Sequence, residues 1–274
     1  MSNLSSQTAA TDLYQELQAV QQELAQAIAD LYSPLADLAR TNLQRVQPLT
    51  RAAFVLAIGV GEPDTAVLRQ QRLSLAAAQE MLFIALTIHK LLLKPHFAQQ
   101  DEQQKTIMGG IILTGDYCFT RSAIMAAQTD HVQVVELFSQ ALKAISEGLL
   151  RNFFAQRNPV ALSAPEQQAP FYDEQRDLFV SGAQSAAILA ALPAQTTTDL
   201  VDLAYTLAQQ TLPLDLSALT AKMQAVRQLT PTQQARLAAF LGWLATNATG
   251  NATSNATSNA TSNTTGSDPT GGQP

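Results

Sequence analysis

The chain of 274 residues is 46% apolar, 14% charged and 6% aromatic, and its 16 Lys+Arg against 22 Asp+Glu leave a formal charge of −6. Soluble domains usually carry about 25% charged residues; here Gln, with 31 residues, supplies much of the polar surface. Net negative charge without a Lys/Arg block excludes a nucleic-acid footprint. A single cysteine, Cys118, excludes a disulfide framework and a Cys-based zinc site. Three histidines, His89, His96 and His131, leave little material for a histidine metal centre.

Taken in chain order, the sequence reads as helix after helix. Residues 1–10 are expected to lack fixed structure. Asp12 stands three positions before Gln15, the capping-box spacing, and Leu13, Leu17, Val20, Leu24, Ile28 and Leu31 follow at steps of three and four. Ser33-Pro34 breaks this helix, and a second covers 35–46. Pro48 opens a third, rich in Ala, Val and Ile, that stops at Gly59-Val60-Gly61. A fourth runs from about Thr65 to Leu93; its second half is apolar almost all round, which predicts a central place in the core. Further helices are expected over 106–129, 132–154, 171–192, 199–212 and 216–229, with a proline-rich loop over 158–170. Thr230-Pro231, a cap followed by proline at the first helical position, starts the last one, to about Ala245. No period-2 strand is found, so the fold class is all-α, one large helical domain over 11–246.

Two further features bear on location. The N-terminus has neither a basic segment nor an apolar core of signal-peptide type. The most apolar window, Met81–Leu93, is interrupted by Thr87, His89 and Lys90, so the chain is expected to be cytoplasmic and not transmembrane. From Asn247 the composition becomes a low-complexity Asn-Ala-Thr-Ser repeat, with Asn-x-Thr triplets at Asn247, Asn251, Asn255, Asn259 and Asn263. The triplets spell a glycosylation acceptor, but without a leader they are read as a by-product of the repeat. A tail 247–274 with so little apolar surface is expected to stay disordered.

Three segments, AAAQEMLFIALTIHKLLLK at 76–94, GGIILTGDYCFTRSAIMAA at 109–127 and VVELFSQALKAISEGLLRNFF at 134–154, taken in that order resemble the trans-prenyltransferase family of polyprenyl, farnesyl and geranylgeranyl diphosphate synthases. The first resembles that family's helix reading A.E..H.A.LIHDDV.D. The second resembles its..ILAGDYLL..A..., and the third resembles the helix carrying..F......I.EGE..Q. Gly115-Asp116-Tyr117 followed by Ser146-Glu147-Gly148 is the more specific part, and weaker similarity runs on through 171–192. The resemblance implies the isoprenoid synthase fold. It also implies two aspartate-rich motifs facing each other, holding Mg²⁺ ions that neutralise a leaving diphosphate.

The departures fall on that chemistry. The Asp-Asp-x-x-Asp that the resemblance implies after His89 is replaced by Lys90, Leu91 and Lys94. At the second motif only Asp215 remains, after Pro213; the expected basic segment before the third helix keeps at most Arg45, and the Lys-Thr pair expected after Tyr172 is Phe179-Val180. No catalytic, cofactor-binding or metal-ligating residue is therefore assigned, and no cofactor is expected. His89, Asp116, Glu147 and Asp215 stand as degenerate motif positions whose bland reading is structural. Lys90 and Lys94, at i and i+4, are the candidate diphosphate contacts, against a plain cationic helix end. Cys118 reads as a small core hydrophobe.

The expected function is that of a polyprenyl diphosphate synthase-like protein of isoprenoid biosynthesis, a catalytically inactive partner or regulatory subunit in a homo- or hetero-dimer with a catalytic prenyl diphosphate synthase. The alternatives are an isoprenoid- or lipid-binding protein using a residual cavity, with Lys90 and Lys94 at its mouth, and a divergent active prenyltransferase.

Overall fold

The computed structural model describes residues 2–45, 49–93, 102–157, 164–210 and 214–262. Among these the backbone is helical with no strand: α1 (Ser2–Ala29), α2 (Ser33–Arg45), α3 (Thr50–Ile58), α4 (Ala66–His89) continued by a 3₁₀ turn (Lys90–Leu93), α5 (Glu102–Ala127), α6 (Val132–Arg157), α7 (Ala164–Leu189), α8 (Ala194–Ala208), α9 (Leu216–Ala225) and α10 (Pro231–Ser262).

The apolar periodicity explains the arrangement. Every residue of α3 from Arg51 to Ile58 is buried, and so is most of α4 from Ser74 to Ile88. These two helices form the centre, with α1, α5, α7 and α10 laid around them. Phe54 of α3 sits edge-on to Phe179 of α7 at 5.9 Å between ring centroids, and 5.7 Å from Phe240 of α10. Such aromatic contacts add to the gain from burial itself. Tyr117 of α5 donates its hydroxyl to the carbonyl of Ala27 at 2.6 Å, tying α5 to the end of α1. The stretch Ala66–Leu92 is long and apolar enough to cross a bilayer, yet 67% of its apolar window is buried against the other helices.

Helix ends follow local chemistry where a cap exists. Thr65 accepts from the Leu68 amide and starts α4. Thr230 accepts from the Gln233 amide at 3.3 Å while Gln233 accepts from the Thr230 amide at 3.0 Å, a reciprocal capping box opening α10. α7 ends in a Schellman motif: the Leu192 amide donates to Ala187 and that of Ala191 to Ile188, with Ala191 at φ 50°.

Several boundaries differ from the sequence expectation. α1 begins at Ser2, so residues 2–10 are helical and Asp12 lies inside the helix rather than capping it. α7 begins at Ala164, within the segment expected to be loop; Pro165 falls in its first turn, where a missing N–H costs nothing. α8 starts at Ala194, directly after Pro193, and α9 stops at Ala225. α10 continues to Ser262, well into the repeat expected to be unstructured, although its last buried residues among those described are Trp243 and Leu244.

Candidate functional site

The C-terminal end of α4 meets α5 and α7, and three of the candidate site residues, His89, Lys90 and Asp116, lie on α4, the turn that continues it, and α5. His89 is the last residue of α4. Its Nε2 lies 3.4 Å from the Ile112 carbonyl and 3.4 Å from Asp116 Oδ1, and its ring is 5.1 Å from that of Phe119. The imidazole rests on the backbone of α5 at Gly115, where a Cβ would collide with the ring. Glycine at 115 is thus explained by a close approach rather than by a turn. Asp116 itself is open to solvent, 62% exposed against 25% for His89.

Lys90 opens the 3₁₀ turn and reaches Glu174 of α7. The Glu174 carboxylate is buried (1% exposed), and among the described residues neither oxygen has a hydrogen-bond partner apart from the Lys90 ammonium. Burial raises its pKa above the ordinary value, with Lys90 and then Arg51 pulling the other way. Lys94 lies outside the described residues.

Beside this pair runs a second buried one. Arg51 of α3 donates to Glu80 of α4 through Nε at 3.1 Å and Nη2 at 2.9 Å, to Gln175 of α7 through Nη1 at 3.0 Å, and lies 3.6 Å above the Phe83 ring. The other oxygen of Glu80 accepts from the Ala52 amide, so both partners are satisfied without solvent. Further along the same seam Gln79 donates to Ser181 Oγ at 3.2 Å.

The remaining candidates lie elsewhere. Glu147 is exposed on α6, 3.8 Å from Lys143 one turn earlier. Asp215 is the N-cap of α9: its Oδ1 accepts from the Ser217 and Ala218 amides at 3.1 and 3.0 Å, and these bonds, Ala218 first, hold its carboxyl below the ordinary value. Cys118 is fully buried, and burial pushes its thiol up to about 12, which keeps it protonated and unreactive. Among the described residues no three His, Cys, Asp or Glu are grouped to hold a metal ion. A cavity of about 380 Å³ opens between α9 and α10, lined by Met223, Val226, Leu229, Leu237 and Leu241 with Gln224 and Gln234; none of its lining residues comes from α4 or α5.

The largest charged cluster among the described residues was not found from sequence. Glu16 of α1, 3% exposed, accepts from Arg72 at 2.7 Å, Arg69 at 2.9 Å and Arg236 at 3.0 Å. Arg72 is fully buried and also holds Asp64 at 2.8 Å and the Gly59 carbonyl at 3.1 Å. Burial pushes the Glu16 carboxyl up, but Arg72 and Arg236 outweigh it and hold the carboxyl below the ordinary value. The signal available was a charge on a helix face otherwise apolar, Glu16 beside Leu13, Leu17 and Val20.

This architecture matches solved prenyl diphosphate synthases along most of its length. A geranylgeranyl pyrophosphate synthase from Lactobacillus brevis aligns with a TM-score of 0.58 at 16% identity, covering 85% of this chain and 83% of that one. A decaprenyl diphosphate synthase from Rhodobacter capsulatus aligns at TM-score 0.56 and 16% identity over 88% and 86% of the two chains. The heptaprenyl diphosphate synthase of Staphylococcus aureus gives 0.58 and 18% over 72% and 62%. No family model matches the sequence, and no curated protein does. The fold is therefore the all-α isoprenoid synthase fold.

Proposed function

We propose that the chain is a prenyltransferase-fold subunit that has lost prenyl-transfer chemistry and serves as the non-catalytic partner of a catalytic prenyl diphosphate synthase in the cytoplasm. One observation carries the reading. At the end of α4, the place where the family resemblance implies Mg²⁺-binding aspartates, stand an ammonium and a hydrocarbon, Lys90 and Leu91, and the ammonium is engaged by buried Glu174. These donors do not fit a divalent cation, which needs oxygen ligands. Asp215 points its carboxylate at its own helix start.

A partner role is supported by α5. Between Lys105 and Arg121 its one charged residue is Asp116, and Leu113 and Ile124, eleven positions apart and so on one side of the helix, are exposed. Such apolar exposure marks an interaction face. Co-expression with a catalytic prenyl diphosphate synthase should yield a complex that co-purifies and that Leu113→Asp disrupts. The chain alone should not extend farnesyl diphosphate with isopentenyl diphosphate and Mg²⁺. Turnover by the purified chain would establish the divergent-enzyme reading instead, and absence of any complex would remove the partner role.

The cavity between α9 and α10 supports a second reading, an isoprenoid or lipid carrier. Native mass spectrometry of protein purified gently from a lipid-rich extract distinguishes it, since a carrier emerges with bound mass.

A further inference from the structure

Three elements converge on Glu174. Lys90 reaches it from the 3₁₀ turn, and Arg51 acts on it from α3 at longer range. Arg51 is already committed to Glu80 and Gln175. On Glu174's own helix the neighbouring charges are self-contained: Arg176 pairs with Asp173 at 2.9 Å and Asp177 at 3.0 Å. Glu80, the nearest carboxylate from α4, spends both oxygens on Arg51 and the Ala52 amide. Among the described residues Lys90 is thus the one direct counter-charge of a carboxylate that is out of water, and Lys90 itself keeps 28% of its side chain exposed.

That asymmetry defines a device. We propose that Glu174 and Lys90 form a proton-operated latch between α7 and the end of α4. With Glu174 ionised, the ammonium is drawn inward and the 3₁₀ turn Lys90–Leu93 is clamped to α7. With Glu174 protonated, the buried group is a neutral acid, far less costly to leave without a counter-charge than a carboxylate, and the flexible lysine stem carries its charge out to water. The turn then disengages from α7, and the polar seam of α4 and α7, where Gln79 Oε1 has no hydrogen-bond partner, becomes reachable from outside.

The sign of the linkage follows from the raised Glu174 pKa. Ionising this carboxyl costs more in the folded chain than in the unfolded one, so its contribution favours the fold below the unfolded value and declines as pH rises through the folded value. The latch is closed at the expense of global stability, which is what a releasable contact requires. The device is independent of whether the chain has a catalytic partner.

Side-chain carboxyl titration by ¹³C NMR on the full chain tests it directly. One glutamate resonance, absent from Glu174→Gln, should titrate above the ordinary range, and Lys90→Met should raise it further. Hydrogen exchange of the amides of residues 88–93, corrected for the intrinsic pH dependence, should lose protection by about tenfold as wild type passes through that titration. In Glu174→Gln the same amides should be exposed at every pH. A Glu174 resonance at or below the ordinary range overturns the proposal, as does a pH-independent protection factor in wild type. If Glu174→Gln does not fold, the shift between wild type and Lys90→Met decides alone.

Discussion

Replacing Glu16 by Gln should be among the most damaging single changes in this protein. Removing one partner of a buried ion pair costs about 3–5 kcal/mol, because the opposite charge is left stranded. The three arginines on Glu16 do not suffer equally. Arg69 is 46% exposed and returns to water, so it adds little. Arg72 keeps Asp64 and the Gly59 carbonyl. Among the described residues Arg236, 3% exposed, keeps only Asp12 at 3.9 Å and is the stranded charge. The loss should therefore fall near the lower end, about 3 kcal/mol. At about 2–4 °C per kcal/mol for a chain of this size, Tm should fall by about 6–12 °C. Urea and thermal denaturation followed by circular dichroism measure both. Adding Arg236→Met should recover part of the loss, since the stranded charge goes with it. The carboxyl is held below its ordinary value of 4.5, so its stabilisation is complete above that pH and is lost as pH falls through the folded value. The gap between wild type and Glu16→Gln should accordingly close in acid. A Tm change within about 2 °C at neutral pH would refute the reasoning that this cluster is an electrostatic keystone.

Other outcomes follow from smaller features. Gly115→Ala should cost about 1–2 kcal/mol by driving the His89 ring off α5, and the penalty should vanish in a His89→Ala background. Ala191→Gly should stabilise by about 0.5–1 kcal/mol, because a left-handed C′ position at φ 50° suits glycine and strains alanine. Truncation after Thr246 should leave Tm unchanged to within about 2 °C, since among the described residues Trp243 and Leu244 are the last that α10 buries. If the truncated chain melts earlier, the repeat has contacts with the domain.

The helices were legible because each carries its own apolar stripe, and the central place of α4 followed from a stripe that wraps all the way round. The ends were less so. Asp12 and Gln15 have the spacing of a cap, but α1 already runs through them from Ser2; a capping pattern inside a longer helix looks the same in sequence as one at its start. The prolines of 158–170 pointed to a loop, while α7 accepts Pro165 in its first turn. Of the candidate site, His89 and Asp116 were found as positions but not as neighbours, being brought together by the absence of a side chain at Gly115. Lys90 was found without Glu174, and Arg72 was missed altogether. Charges that meet across 56 or 220 residues, as Glu16 does with Arg72 and Arg236, leave no local pattern to read.

The bond from Glu16 to Arg236 also constrains when the molecule can close. α1 and α10 pack together although nearly the whole chain separates them. During synthesis, residues 2–225 can be complete while the buried carboxylate of α1 still lacks one of its two buried arginines. Such long-range closure comes late in folding and slows it. Partial chains ending before α10 would expose the apolar face of Phe54, which Phe240 covers in the finished fold. The first and last helices of the core thus act as a checkpoint on chain completeness, and fragments that lack either one should be marked for aggregation or proteolysis rather than persist as folded pieces.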